Sequence, residues 1–281
     1  MEYLKINILS DKFIVSPFIQ QIYETIERIA ISGMSVLIVG EEGTERESIA
    51  RMVHLLSGRR KEKFLKVDCR RLSANNAERK IFGAENLYPS GVEIYQGSFE
   101  NAFGGTIFLD NFSSLSVNLI QKISKTVKNR HFHRFEGVNE LEINVRLVTA
   151  IDKTMDDIKT GTYGDVDFYH KICPLSINIP PLRERREDII FLIDLFIQNY
   201  NATSFKSIKR LSREAIDFFL RYEWPGNTQQ LKNTVYYSVN ACNSDTIEVT
   251  HLPPYLLKKG SVSCKNIEEN NIHSSTAFTE N

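Results

Sequence analysis

Five short apolar runs do most to limit what this chain can fold into. They occupy residues 35–39, 64–67, 106–109, 145–151 and 176–179. The first, Ser35-Val36-Leu37-Ile38-Val39 ending at Gly40, is apolar at consecutive positions, as a strand buried on both faces must be. Helical patterns lie between the runs. Ser16-Pro17 reads as an N-cap followed by proline at the first helical position, and Gly33 closes the segment. Within it, Ile19, Ile22, Ile26 and Ile29 recur at three- and four-residue spacing. Ile49, Met52, Val53 and Leu56 form a second apolar stripe, and a third covers 119–127. Strands alternating with helices predict a parallel sheet sandwiched by helices.

The pattern changes after Pro180-Pro181. Residues 187–200, 212–222 and 228–239 read as helices with no strand evident, so a small all-α domain is expected there. From Lys258 the chain is polar and is expected to be a disordered tail. The predicted division is a leader at 1–15, an α/β core at 16–182, a helical domain at 183–257 and a tail at 258–281.

Charge excludes one class of partner at the level of the whole chain. The 35 basic and 35 acidic side chains cancel, which leaves no basic excess for nucleic acid. The N-terminus lacks a signal-peptide layout, and no apolar run approaches the roughly 20 residues of a membrane helix. Cys69, Cys173, Cys242 and Cys264 are scattered and read as free thiols of a cytoplasmic protein. His131 and His133 could share a strand face, though an exposed turn or strand is the expectation.

The strand–glycine–helix unit over 36–57 invites a phosphate-loop reading, because such a loop wraps phosphate in backbone N–H groups. Further strings follow in order: Ile81-Phe82-Gly83, Gly97-Ser98-Phe99-Glu100-Asn101-Ala102, Gly104-Gly105-Thr106-Ile107-Phe108-Leu109-Asp110 and Asn144-Val145-Arg146. Pro180-Pro181-Leu182-Arg183-Glu184-Arg185 and Trp224-Pro225-Gly226-Asn227 complete the series. Over roughly 12–257 the chain resembles the AAA+ central domain of bacterial sigma-54 enhancer-binding proteins. The resemblance implies an AAA+ P-loop-type core with an all-α lid, and a nucleotide loop carried by Gly40, Gly43, Thr44, Arg46 and Glu47.

Departures from the family pattern fall on its chemistry. Its Gly-Lys-Glu loop end stands here as Glu45-Arg46-Glu47, and Glu41 and Glu42 add two more carboxylates. One anionic side chain about 4 Å from a phosphate charge costs on the order of 4 kcal/mol at an effective dielectric of about 20. That is a roughly thousandfold loss of binding. Asp110 occupies the position that coordinates magnesium in the family, as a vestigial ligand, but the glutamate that should follow is Asn111. An amide cannot take a proton from water, and general-base help is worth about 10²–10⁴ in rate. Asp152 replaces the sensor asparagine, Gln229 the lid arginine, and Asp165 and Lys171 the two trans-acting arginines. Arginine fingers contribute about 10³–10⁵ in related phosphoryl transfers.

The family's Gly-Ala-Phe-Thr-Gly-Ala loop, which contacts sigma-54, is here Leu87-Tyr88-Pro89-Ser90-Gly91-Val92. Tyr88-Pro89 makes a candidate loop tip for a partner. No helix-turn-helix pattern follows Leu257, so no DNA-binding domain is expected, nor any membrane contact. The expectation is a degenerate, non-hydrolysing member with no catalytic residue and no cofactor. Its partners would be proteins, either an active AAA+ relative in a mixed oligomer or RNA polymerase components. Two alternatives stay open. One is an ATP- and magnesium-dependent activator that uses Arg46 and Asp110, and the other is a relic without a selected role. Arg183 and Arg185 are expected to form structural ion pairs at the start of the lid, and Trp224 to pack.

Overall fold

The computed structural model describes residues 17–88, 91–152, 172–204 and 206–257. The expected leader and the expected tail lie outside these residues. The described residues form two compact units, one ending at Pro181 and one beginning at Leu182.

In the first unit, β1 (Val36–Val39), β2 (Phe64–Asp68), β5 (Thr106–Asp110), β8 (Arg146–Ile151) and β9 (Leu175–Asn178) form one sheet in the order β2-β5-β8-β1-β9. Every pairing is parallel, with Val36 opposite both Val148 and Leu175 and Asp68 opposite Asp110. These are the five runs read from the sequence. Successive side chains of a strand point to opposite faces, and both faces here are covered. Leu37, Val39, Ile107, Leu109, Leu147 and Ile151 pack with Phe82, Phe99 and Ile123. Val36, Ile38, Phe108, Val148 and Ala150 pack on the other side with Ile19, Ile26, Ile49 and Val53. That two-sided burial is why β1, β5 and β8 are mainly apolar, whereas the edge strands β2 and β9 are only partly buried and carry Lys66, Ser176 and Asn178.

Helix α1 (Pro17–Ser32) and α2 (Arg46–Leu55) supply the second cluster. The short helices α3 (Ala77–Phe82) and α4 (Ser98–Asn101) and the longer α5 (Val117–Asn129) supply the first. Ser116 caps α5 by accepting from Leu119 N–H, and Arg130 ends it in the left-handed region at φ 62°.

Two antiparallel ribbons were not anticipated from the sequence. The strands β3 (Ala84–Tyr88) and β4 (Gly91–Tyr95) form one, and β6 (His131–His133) with β7 (Glu140–Glu142) the other. His131 and His133 are exposed on β6, opposite Glu142 and Glu140, while Phe132 between them is buried. Among the described residues no group of three His, Cys, Asp or Glu is gathered to hold a metal.

The second unit contains α6 (Glu187–Thr203), α7 (Arg213–Arg221) and α8 (Asn227–Ala241). The expectation of a strand-free unit is corrected by a two-residue parallel pair, β10 (Arg210–Leu211) with β11 (Thr246–Ile247). It is too short to leave any periodic signal in sequence. Trp224 is fully buried, stacks on Phe219 at 5.5 Å and donates its indole N–H to Phe219 O at 2.8 Å. Arg185 pairs with the buried Asp188 at 3.0 Å. No helix among the described residues is long and apolar enough to cross a membrane.

Candidate functional site

A parallel sheet places the C-terminal ends of its strands along one edge, where ligands of such folds bind. Here that edge gathers Gly40 after β1, Asp68 ending β2, Asp110 ending β5 and Asp152 after β8. The loop 40–45 closes on itself. Thr44 N–H donates to Glu41 O at 3.3 Å, the Thr44 hydroxyl donates to the same oxygen at 2.7 Å, and Arg46 N–H donates to Thr44 O at 2.9 Å. Gly43 sits at φ 80°, whereas Glu45, the residue before α2, has an ordinary φ of −79° and is buried.

Arg46 is 5% exposed and its guanidinium bridges the loop to the end of β5. Nη1 donates to Gly40 O at 3.2 Å and Nη2 to Asn111 Oδ1 at 2.9 Å, with Asp110 Oδ1 3.2 Å away. The other oxygen of Asp110 faces the Lys66 ammonium at 3.6 Å. Asn111 holds φ 54°, the left-handed region that Asn tolerates better than most residues. Its Oδ1 also accepts from Arg70 Nη2 at 2.7 Å, and its Nδ2 donates to Asp68 at 2.9 Å.

The surrounding charges pair in the same way. Glu47 takes Lys66 at 2.6 Å and Arg51 at 2.7 Å, Glu42 takes Arg70 at 2.9 Å, and Asp152 lies 3.6 Å from Arg70. Burial pushes the Glu47 carboxyl up, but hydrogen bonds from Lys66 and Arg51 outweigh it and hold the group below the usual range. Asp68 behaves alike. Burial raises it, while the Asn111 amide, the Arg70 N–H and the charges of Arg71 and Arg70 bring it down. The Arg70 guanidinium is pushed up, chiefly by its hydrogen bond to Glu42. Burial drives the neighbouring Cys69 thiol well above its ordinary value, aided by Asp68 and Asp110.

Of the residues singled out in the sequence, Gly40, Thr44, Arg46, Glu47, Asp110, Asn111 and Asp152 meet at this edge. Gln229 lies in the second unit, in the first turn of α8, and donates to Asn233 at 3.1 Å. Asp165 and Lys171 lie outside the described residues. Of the Leu87–Val92 segment, Leu87 pairs with Val92 and Tyr88 with Gly91 in the β3–β4 ribbon, and Pro89 and Ser90 lie outside the described residues. The sequence reading missed Lys66, Asp68 and Arg70. A usable signal existed, since Asp68 and Asp110 end neighbouring parallel strands, and two adjacent carboxylates require cations.

The fold and this edge define an AAA+ module. Residues 13–178 match the sigma-54 interaction domain and 183–268 the AAA+ ATPase lid domain, so the chain belongs to the sigma-54-dependent transcriptional activator family. It is 34% identical over 239 residues to nitrogen fixation protein AnfA of Azotobacter vinelandii, covering 84% of this chain and 45% of that protein. A Nif-specific regulatory protein of Herbaspirillum seropedicae is 34% identical over 238 residues, covering 84% and 44%. The chain thus spans a little under half the length of these relatives. In fold it is similar to NtrX from Brucella abortus in complex with ADP, with a TM-score of 0.78 at 23% identity over 91% of this chain and 58% of that one.

Proposed function

We propose that this chain is a sigma-54-activator-type AAA+ module that does not hydrolyse ATP and acts by binding protein partners in transcription regulation. The observation that carries this reading is the placement of Arg46. Its guanidinium is tied at once to the loop carbonyl of Gly40, to Asn111 and to Asp110, bridging the start of the loop to the end of β5.

The donor set does not fit a magnesium nucleotide. A phosphate loop works through outward N–H groups, yet the Thr44 and Arg46 N–H groups donate to carbonyls of the loop itself. Magnesium asks for a carboxylate oxygen in a regular octahedron, and each oxygen of Asp110 faces a cation of the protein. Asn111 supplies an amide where a water-activating carboxylate would stand, and it lies between two guanidinium groups and a carboxylate. The cations that could attract phosphate are matched by Glu42, Glu47, Asp68, Asp110 and Asp152.

A second reading, an activator that uses Arg46 and Asp110, is favoured by the retained Gly43 turn and the strand-end carboxylate. Titration calorimetry with ATP and ADP, with and without magnesium, separates the two. Absence of binding at millimolar nucleotide is the expected result. Micromolar binding, with magnesium-dependent hydrolysis abolished by Asp110→Ala, would overturn the proposal. The partner-binding half predicts that the chain changes the ATPase rate of an intact relative when mixed with it.

A further inference from the structure

The first unit has a small hollow between α3 and the β3–β4 ribbon. Its volume is about 250 Å³, and it is lined by Asn76, Arg79 and Lys80 on the helix side and Asn86, Glu93 and Tyr95 on the ribbon side, over Ala84. The ribbon register explains the lining. Ala84 pairs with Tyr95 and Asn86 with Glu93, so these four share one face, with Tyr88 further along it. Pockets for drug-sized ligands run from about 300 to 1,000 Å³. This one suits one or two side chains.

Its donors are held in place. The Arg79 guanidinium stacks on Phe135, 4.8 Å from the ring centroid, with Nη2 3.3 Å from Glu136. Lys80 Nζ lies 2.6 Å from the Tyr95 hydroxyl and 5.1 Å from its ring centroid. Asn76 precedes α3 without making a side-chain cap bond. The ribbon root is anchored by Arg134, which donates to Glu85 at 2.8 Å and to Glu100 at 3.0 Å. Tyr88, Ile94 and Tyr95 are 53%, 55% and 44% exposed.

We infer that this slot binds an acidic side chain of an extended peptide from a protein partner, with the carboxylate on Arg79 and Lys80. The inference rests on the partner-binding half of the proposed function. Glu93 chooses the class of ligand. Lining the same slot as the two cations, it penalises a multivalent anion such as phosphate more than a single carboxylate, and it can accept a peptide N–H. The exposed tyrosines beside the slot offer apolar contact to the residues flanking the acid, as aromatic side chains do at interfaces.

The test is fluorescence anisotropy with a labelled peptide of alternating glutamate and glycine, its glutamine counterpart, and the full chain. Micromolar binding of the acidic peptide is expected, weaker by at least about tenfold for the glutamine version, as loss of charge-assisted bonds predicts. The double substitution Arg79→Gln with Lys80→Gln should give a similar loss with an unchanged melting temperature. Asn86→Asp, which adds a carboxylate to the slot, should weaken binding without touching the cations. The exposed pair Arg60→Gln with Lys61→Gln should leave it intact. No binding, equal affinity for the two peptides, an equal loss in the Arg60/Lys61 variant, or displacement by low-millimolar inorganic phosphate would each overturn the inference. The effect of the chain on the ATPase rate of an intact relative is measured independently of all these outcomes, so failure here is distinguishable from failure of the partner-binding reading.

Discussion

Arg46 Nη2 donates to Asn111 Oδ1 at 2.9 Å across 65 positions of sequence, joining the first turn of α2 to the end of β5. The same oxygen accepts from Arg70, and the same amide donates to Asp68. One carboxamide therefore ties together the start of α2, the end of β2 and the end of β5.

That relationship predicts how Asn111 responds to substitution. Asn111→Ala removes an acceptor for two guanidinium groups and places a Cβ-bearing residue without a local polar side chain at φ 54°. The lost bonds should cost about 1–3 kcal/mol, and the left-handed backbone about 1 kcal/mol more. Asn111→Gly loses the bonds but not the conformational fit, so urea unfolding should place it about 1 kcal/mol above the alanine variant. Equal stability of the two would mean that the backbone conformation contributes nothing.

Arg146 should be the most sensitive cation of the first unit. It is 2% exposed and donates to Ala30 O at 2.6 Å, Ile29 O at 2.7 Å and Met34 O at 3.1 Å, satisfying carbonyls at and beyond the end of α1. Burial, with Arg59 nearby, pushes its pKa down to about 10, so it remains charged at neutral pH. Arg146→Met should destabilise the protein by about 3 kcal/mol, because the Ala30 and Met34 carbonyls lose this donor while Ile29 O keeps only the Ser32 hydroxyl. Arg146→Lys should recover less than half, since a point charge cannot reproduce the planar fork. Chemical denaturation of the three proteins checks both statements.

His54 predicts a specific pH dependence. It is buried, its Nδ1 lies 2.9 Å from the Thr106 hydroxyl, and its ring tilts against Phe64 at 5.4 Å. Burial lowers its pKa below the ordinary 6.5, as do the charges of Arg146 and Arg51, against a raising hydrogen bond with the Glu62 backbone. Above pH 6.5 the ring is neutral in both the folded and unfolded chains and contributes no pH dependence. As pH falls below 6.5, the unfolded chain takes the proton first, and stability drops until the folded pKa is passed. His54→Gln should flatten this segment of the stability profile. The depressed Glu47 and Asp68 carboxylates add a separate loss at lower pH, beginning near their unfolded values of 4.5 and 3.8.

How much of this was legible in sequence follows from the range of the interactions. The five strands and their helices were readable because two-sided burial forces continuous apolar runs, as in Val36-Leu37-Ile38-Val39. The β3–β4 ribbon was not, because its strands mix Glu85, Asn86 and Glu93 with exposed Tyr88 and the adjacent, exposed Ile94 and Tyr95, leaving no regular period to read. At the candidate site, the positions of Arg46, Asp110 and Asn111 were readable from the loop and strand ends. Their mutual bonds were not, since Arg70 reaches Glu42 and Asn111 over 28 and 41 residues, and only strand order brings them together. The carboxylates of the loop had been read as bare repulsion toward an anion. In the structure Glu42 and Glu47 hold cations of their own, Arg70 and Lys66, pairings the loop sequence could not show.

The adjacent glycines at the start of β5 make the sharpest structural prediction, because they are glycine for different reasons. Gly104 has φ 80°, and a Cβ there would meet nothing closer than a Glu62 carboxylate oxygen at 3.6 Å. Gly104→Ala should therefore cost only backbone strain, about 1 kcal/mol. Gly105 has no such strain, but its Cβ would fall 2.0 Å from Lys63 O, the carbonyl that accepts from Thr106 N–H at 2.9 Å. Room can be made only by moving the start of β2 away from β5. Gly105 O also accepts from Arg146 N–H at 3.0 Å and from Arg59 at 3.1 Å, so the strand cannot yield on its other side without breaking those bonds. Gly105→Ala should cost at least about 3 kcal/mol, the upper end of the overpacking range. Urea midpoints of the two variants, measured side by side, should differ in that order. A Gly104→Ala protein less stable than Gly105→Ala would mean that β2 and β5 separate more readily than this packing allows.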